Sequence, residues 1–217
     1  MDRAGTPRPP VPPRATTRPA RIARWIDATD AEGPFLRSAI WFQGCPIRCP
    51  GCCNPELFAT SGGALVGPKA AGRRLDAAVS RHGIEGVTFV GGEPLAQPWA
   101  VAWLSRQAAA RGLGVVLFTG FSREDLMRRP AFRAALECID TVVAGPYDRT
   151  RPERRRAFVG SRNQVLVHRT ARYADPALWY RPTPAEIRVV GGRLEIVGRP
   201  DAVERLCATL RRPPAPC

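Results

Sequence analysis

The 217-residue chain has almost no lysine: of its 33 basic residues 32 are arginine, and Lys69 stands alone. It carries only two histidines, His82 and His168. No apolar run approaches the roughly 18 to 20 residues of a membrane span, and the Arg/Pro-rich start lacks the stretch of about 7 to 15 apolar residues that a secretory leader needs. Neither a membrane-spanning nor a secreted protein is expected; the expectation is a cytoplasmic chain whose thiols stay reduced. Acids are also scarce, 19 against 33 bases, which leaves a net charge of +14 and a pI near 10.9. Such a surplus can bind polyanions. Here it accompanies abundant Ala, Pro and Gly, the mark of a GC-rich coding sequence, so compositional bias is preferred to a nucleic-acid partner.

No internal repeat interrupts the chain, and its 44% hydrophobic content can fill one substantial core. Residues 1–20 hold six prolines and no apolar period, so they are expected to form a disordered basic extension. The end 211-RRPPAPC-217 repeats that character. Between them, short apolar runs alternate with helical stretches, the pattern of βα units around a largely parallel sheet. Strands are expected at 38–43, 87–91, 115–120, 140–145 and 164–168, and helices at 68–82, 98–111 and about 122–137. The strand ends carry Gly44-Cys45, Gly91-Gly92, Thr119-Gly120 and Gly145-Pro146, and in such sheets chemistry gathers at those ends. After 168, the stretch 186-EIRVVGGRLEIVG-198 predicts a β-hairpin turning at Gly191-Gly192, and 201–211 a last helix.

Four of the seven cysteines crowd into 44-GCPIRCPGCCN-54. Cys45, Cys49 and Cys52 have the spacing C-x3-C-x2-C, and Pro46 and Pro50 make this a loop and not a helix. Three thiolates from one loop suit an iron–sulfur cluster, and a four-iron cluster would keep one iron without a protein ligand. A zinc site, which wants four protein ligands, and incidental thiols stay open as alternatives. Cys53 is a poor fourth ligand because its neighbour already faces the same centre. Cys138 and Cys207 read as small buried hydrophobes.

With these residues in view, the chain resembles the radical S-adenosylmethionine (SAM) enzymes, and within them the glycyl-radical-enzyme activases, above all those serving anaerobic ribonucleotide reductase. The resemblance runs over residues 21–168. Beyond the cysteines, 33-GPFLRS-38 is similar to the family's G-P-G-x-R segment, with Phe35 where the second glycine is usual. The turn 91-GGEP-94 matches a strand-end motif in which Gly91 and Gly92 permit close approach and Pro94 fixes the turn; taken alone, it reads equally as a strand-to-helix turn with Glu93 as a capping acid. The segment 117-LFTGFSREDL-126 resembles the third strand and the helix start after it. 139-IDTVVAGPYD-148 resembles a later strand, with Ala144 in place of the usual acid, and 158-FVGSRNQVLV-167 a G-S-S-N-Q segment, with Arg162 for its second serine. A polar turn explains Ser161, Asn163 and Gln164 nearly as well.

The resemblance implies a fold of the α/β class, a partial (β/α) barrel of radical SAM type at 21–168 with the hairpin and helix of 169–217 appended. It implies a [4Fe-4S] cluster on Cys45, Cys49 and Cys52. It further implies SAM along the backbone of Gly51, Cys52 and Cys53 and against Gly91, Gly92 and Pro94, with the Glu93 carboxylate available to the SAM ammonium. Reductive cleavage of SAM would serve a glycyl radical enzyme, with flavodoxin or ferredoxin as electron donor. The arginine run 149-RTRPERRR-156 is expected to be either a docking surface or a solvated loop. A radical SAM enzyme acting on a small metabolite or peptide shares every one of these ligands.

Overall fold

The computed structural model describes residues 18–182, 185–190 and 193–198. The expected 201–211 helix, Cys207, Cys217 and nearly all of the 1–20 extension lie outside them. The described residues form a mixed α/β fold around one large sheet of β1 (Ala20–Thr29), β2 (Arg37–Phe42), β3 (Ala64–Val66), β4 (Gly86–Gly91), β5 (Gly114–Thr119), β6 (Thr141–Ala144) and β7 (Val165–His168). Their spatial order is β3-β1-β2-β4-β5-β6-β7. The middle four are parallel; β1 and β7 run antiparallel to them, and the edge strand β3, antiparallel to β1, runs in their direction.

The parallel strands are apolar along their length because both of their faces are covered. On one face Ile40, Phe42, Phe89 and Leu117 pack with Leu75, Leu104 and Phe132 from α1 (Pro68–His82), α2 (Pro98–Ala110) and α4 (Pro130–Leu136). On the other, Val116 and Val143 meet Tyr173 and Trp179 of the segment after β7. Beside them Ala39 and Trp41 meet Val197. Val197 belongs to the hairpin of β8 (Ala185–Val190) and β9 (Arg193–Gly198), which pairs where the alternating pattern placed it. Among the described residues after 168, Tyr173, Trp179 and Val197 therefore contribute to the core.

Two expectations need correction. The single helix at 122–137 is two, α3 (Arg123–Arg128) and α4, because Pro130 has no N–H to continue the ladder and holds Arg129 in an extended conformation. The Ser122–Asp125 capping box opens α3 as its sequence suggested. Strands β1 and β3 were not foreseen. Register shifts between Ile22 and Arg24 and again between Ile26 and Thr29 break the strict alternation of β1, so its buried residues do not recur every second position.

Candidate functional site

The carboxyl ends of β2, β4, β5 and β6 meet around one cavity of about 510 Å³, lined by Cys45, Cys49, Cys52, Cys53, Gly91, Gly92, Glu93, Thr119, Gly120 and Gly145. Backbone pairing explains how two motifs far apart in sequence come together. The Gly92 N–H donates to the Phe42 carbonyl and the Glu93 N–H to the Gly44 carbonyl, both at 2.9 Å, so the Gly-Gly-Glu-Pro turn is bolted to the strand that launches the cysteine loop. The glycines make that contact possible. A Cβ on Gly91, whose φ is 106°, would lie 2.6 Å from the Phe42 nitrogen, and one on Gly92 2.5 Å from the Gly44 carbonyl oxygen. Their smallness serves strand approach directly.

Positive φ at Gly44 (95°), Arg48 (52°) and Gly51 (75°) bends the cysteine loop three times. Arg48, a non-glycine there, costs roughly 1–2 kcal/mol. Ile47 packs onto Gly120 and Arg149 onto Gly51, which lock the loop between β5 and the segment after β6. Cys45, Cys49 and Cys52 are all half-buried and unpaired, whereas Cys53 is exposed.

Glu93 is 1% exposed. Its Oε1 accepts from the Leu95 N–H and the Thr119 hydroxyl, and Oε2 from the Gly120 N–H, each at 2.8 Å. Burial raises its pKa from 4.5 to about 7 against the pull of those three donors. The carboxylate thus spans the ends of β4 and β5 while still lining the cavity. The bond from Leu95 is the capping role that a strand-to-helix turn offers an acid; the bridge to Thr119 and Gly120 was not readable from the motif.

The polar segment near 160 has a mainly local task. Gln164 accepts from the Gly160 and Ser161 N–H groups at 3.1 Å and donates to the Gly145 carbonyl at 3.1 Å; Asn163 donates to the Pro146 carbonyl at 2.7 Å. Phe35 adopts φ 59° at the position where the resembling segment has glycine, so the bend persists with a bulky residue in it.

The model for a 4Fe-4S single cluster domain matches residues 31–167. The chain belongs to the 4Fe-4S single cluster domain family. Over 145 residues it is 26% identical to the anaerobic ribonucleoside-triphosphate reductase-activating protein of Enterobacteria phage T4, covering 64% of this chain and 88% of that one. The protein of the same name from Salmonella typhimurium is 26% identical over 153 residues, 68% and 98% of the two chains. The pyruvate formate-lyase-activating enzyme of Clostridium pasteurianum is 39% identical over 70 residues, 31% of this chain and 29% of that enzyme. Together they bear out the resemblance to radical SAM proteins of the glycyl-radical-activase type.

The donor set suits the cluster that gives the family its description. Cys45, Cys49 and Cys52 all line the one cavity, and cysteine sulfurs are the usual ligands of iron–sulfur clusters. The thiols differ. Donation from the Cys53 thiol lowers Cys52 to about 6, with burial opposing and the Asn54 amide assisting. Burial raises Cys49, although the Tyr147 amide donates to it and the thiols of Cys52 and Cys45 push it further up. Cys53 is raised, chiefly by that same bond to Cys52.

Several cavity residues carried no signal in the sequence. Arg24 stacks over Trp41, 4.2 Å from the ring centre, and its buried Nε has no hydrogen-bond partner among the described residues. Glu32 is raised to about 7 by burial, with Arg24 opposing and Glu186 adding. Ile196, Val197 and Gly198 of the hairpin form one wall, although the family match ends at 167.

Proposed function

We propose that this chain is a radical SAM enzyme that activates a glycyl radical enzyme, with anaerobic ribonucleotide reductase the first candidate, in line with the names of the phage and Salmonella relatives. The observation that supports it most is the meeting of the three-cysteine loop and the Gly-Gly-Glu-Pro turn around one cavity at the strand ends. Cys45, Cys49 and Cys52 would hold three irons of a [4Fe-4S] cluster, leaving the fourth iron to SAM. A reduced cluster with SAM bound supplies a 5′-deoxyadenosyl radical, able to take hydrogen from a glycine of the partner.

The chain's own residues bind and orient. Cys52, Cys53, Gly91 and Gly92 line the cavity in which SAM would bind, whereas Gly51 and the buried Pro94 are not among its lining residues and would shape the loop and the turn behind it. Glu93, held by three donors, ties the ends of β4 and β5 together and keeps one lone pair, on Oε2, for an ammonium group. Trp41, Val90 and Phe118 keep the cavity wall apolar. We read the large sheet and its helices as a partial (β/α) barrel at 21–168, with the hairpin of β8 and β9 covering one side of the cavity. The electron would come from a flavodoxin or ferredoxin, and the site of action would be the cytoplasm; among the described residues no helix is long and apolar enough to cross a membrane.

The test is spectroscopic. Anaerobic reconstitution with iron and sulfide should give four irons per chain, and SAM should shift the electron paramagnetic resonance of the reduced cluster. A four-iron cluster whose spectrum ignores SAM would contradict the reading.

A further inference from the structure

Apart from Arg149, which packs on Gly51, the arginines of 149–156 have no task in the site as described. Residues 146–162 hold six arginines against two acids. Both acids are engaged within the loop, Glu153 buried and Asp148 half-exposed. Asp148 accepts from the Thr150 N–H at 2.9 Å and the Thr150 hydroxyl at 2.6 Å. Glu153, 7% exposed, accepts from the N–H groups of Arg154, Arg155 and Arg156 and from the Arg156 Nε at 2.6 Å. Burial pushes Glu153 up, but those amides and the Arg156 guanidinium outweigh it and leave it at about 2.

The loop is braced. Arg162 N–H donates to the Arg151 carbonyl at 2.7 Å, Ala157 N–H to the Trp179 carbonyl at 2.5 Å, and Pro152 bridges Ser161. One side of it, at Tyr147, Phe158 and Gly160, lines the cavity. The other side presents Arg149, Arg151, Arg154, Arg155 and Arg162 exposed, and none of the five forms an ion pair among the described residues. Guanidinium groups held outward on a rigid rim, with the local acids consumed by backbone, form a surface of one sign at the mouth of the site.

We infer that this rim docks an acidic protein surface surrounding the glycine-bearing segment of the partner enzyme, steering that segment into the cavity beside it. The inference rests on the activase reading and names its recognition surface. A substrate segment must pass the mouth that Tyr147, Phe158 and Gly160 border, so the charges beside that mouth meet whatever carries the substrate. Complementary charge there acts mainly on the association rate.

The reconstituted full chain is compared with R151Q/R154Q/R155Q and R151K/R154K/R155K, using the anaerobic ribonucleoside-triphosphate reductase of the same genome as the binding probe. Association should be fast and salt-sensitive for the unaltered protein, slower by at least about tenfold for the glutamine variant, and nearly unchanged for the lysine variant. Formation of 5′-deoxyadenosine with dithionite and no partner should be equal in all three. Equal association rates for all three, or no binding at low salt, would overturn the inference. So would salt-sensitive binding of duplex DNA but not of the reductase. A loss seen only when flavodoxin replaces dithionite would also overturn it, moving the surface to the electron donor. Absence of 5′-deoxyadenosine from the unaltered protein would instead defeat the activase reading, and the docking with it.

Discussion

Replacing Glu93 by glutamine separates the charge of this buried group from its hydrogen bonds. Its pKa rises from 4.5 to about 7 on folding, so its contribution to stability is fully present below pH 4.5 and is lost as pH rises through about 7. At 1.36 kcal/mol per tenfold change in acidity the penalty at pH 8 is about 3 kcal/mol. Glutamine removes that penalty at every pH. It also places an amide NH₂ against one of the three donors, most simply the Gly120 N–H on Oε2, at a cost of about 1–3 kcal/mol. The variant without cluster should therefore be less stable than the parent by about 2 kcal/mol near pH 4.5 and equal to it or slightly more stable at pH 8. Urea unfolding at several pH values measures both, and other titrating groups such as Glu32 cancel in the difference. A destabilisation that is the same at both ends of the range would refute the claim that desolvation outweighs the donors.

Other perturbations probe the frame. Cys49→Ala should abolish the four-iron absorbance after reconstitution, whereas Cys53→Ala should retain it; iron counting decides. Gly91→Ala forces a Cβ to 2.6 Å from a backbone nitrogen at φ 106°, so a loss of more than about 2 kcal/mol is expected, read as a lowered unfolding midpoint. Trp179→Ala removes a fully buried ring whose N–H donates to the Tyr173 carbonyl at 2.8 Å, and should cost about 3–5 kcal/mol in thermal or urea unfolding. That result would show that the stretch after β7 belongs to the cooperative core.

The central parallel strands and the long helices were legible because their apolar runs are uninterrupted and their ends are marked by Gly and Pro; α1 begins at Pro68 and ends at Gly83 in a left-handed conformation. At Pro130 that punctuation was present, but the helical pattern continuing across it masked the break. The bulges of β1 hid an edge of the sheet, since a shifted register erases the alternation that announces a strand. Motif spacing pointed to the cysteine loop and the Gly-Gly-Glu-Pro turn as one site, but not to what joins them, because backbone hydrogen bonds leave no trace in side-chain identity. The network behind the sheet was equally silent: buried Arg37 donates to the Tyr173 hydroxyl at 3.0 Å, which donates to Glu85 at 2.6 Å, itself paired with Arg172 at 2.7 Å. Four polar residues spread over 136 positions carry no period or motif.

The most direct test of the account is the product of SAM cleavage. The anaerobically reconstituted protein, reduced with dithionite in the presence of SAM, should form 5′-deoxyadenosine together with methionine, and Cys49→Ala should form neither. A protein with an intact four-iron cluster that yields no 5′-deoxyadenosine would contradict it.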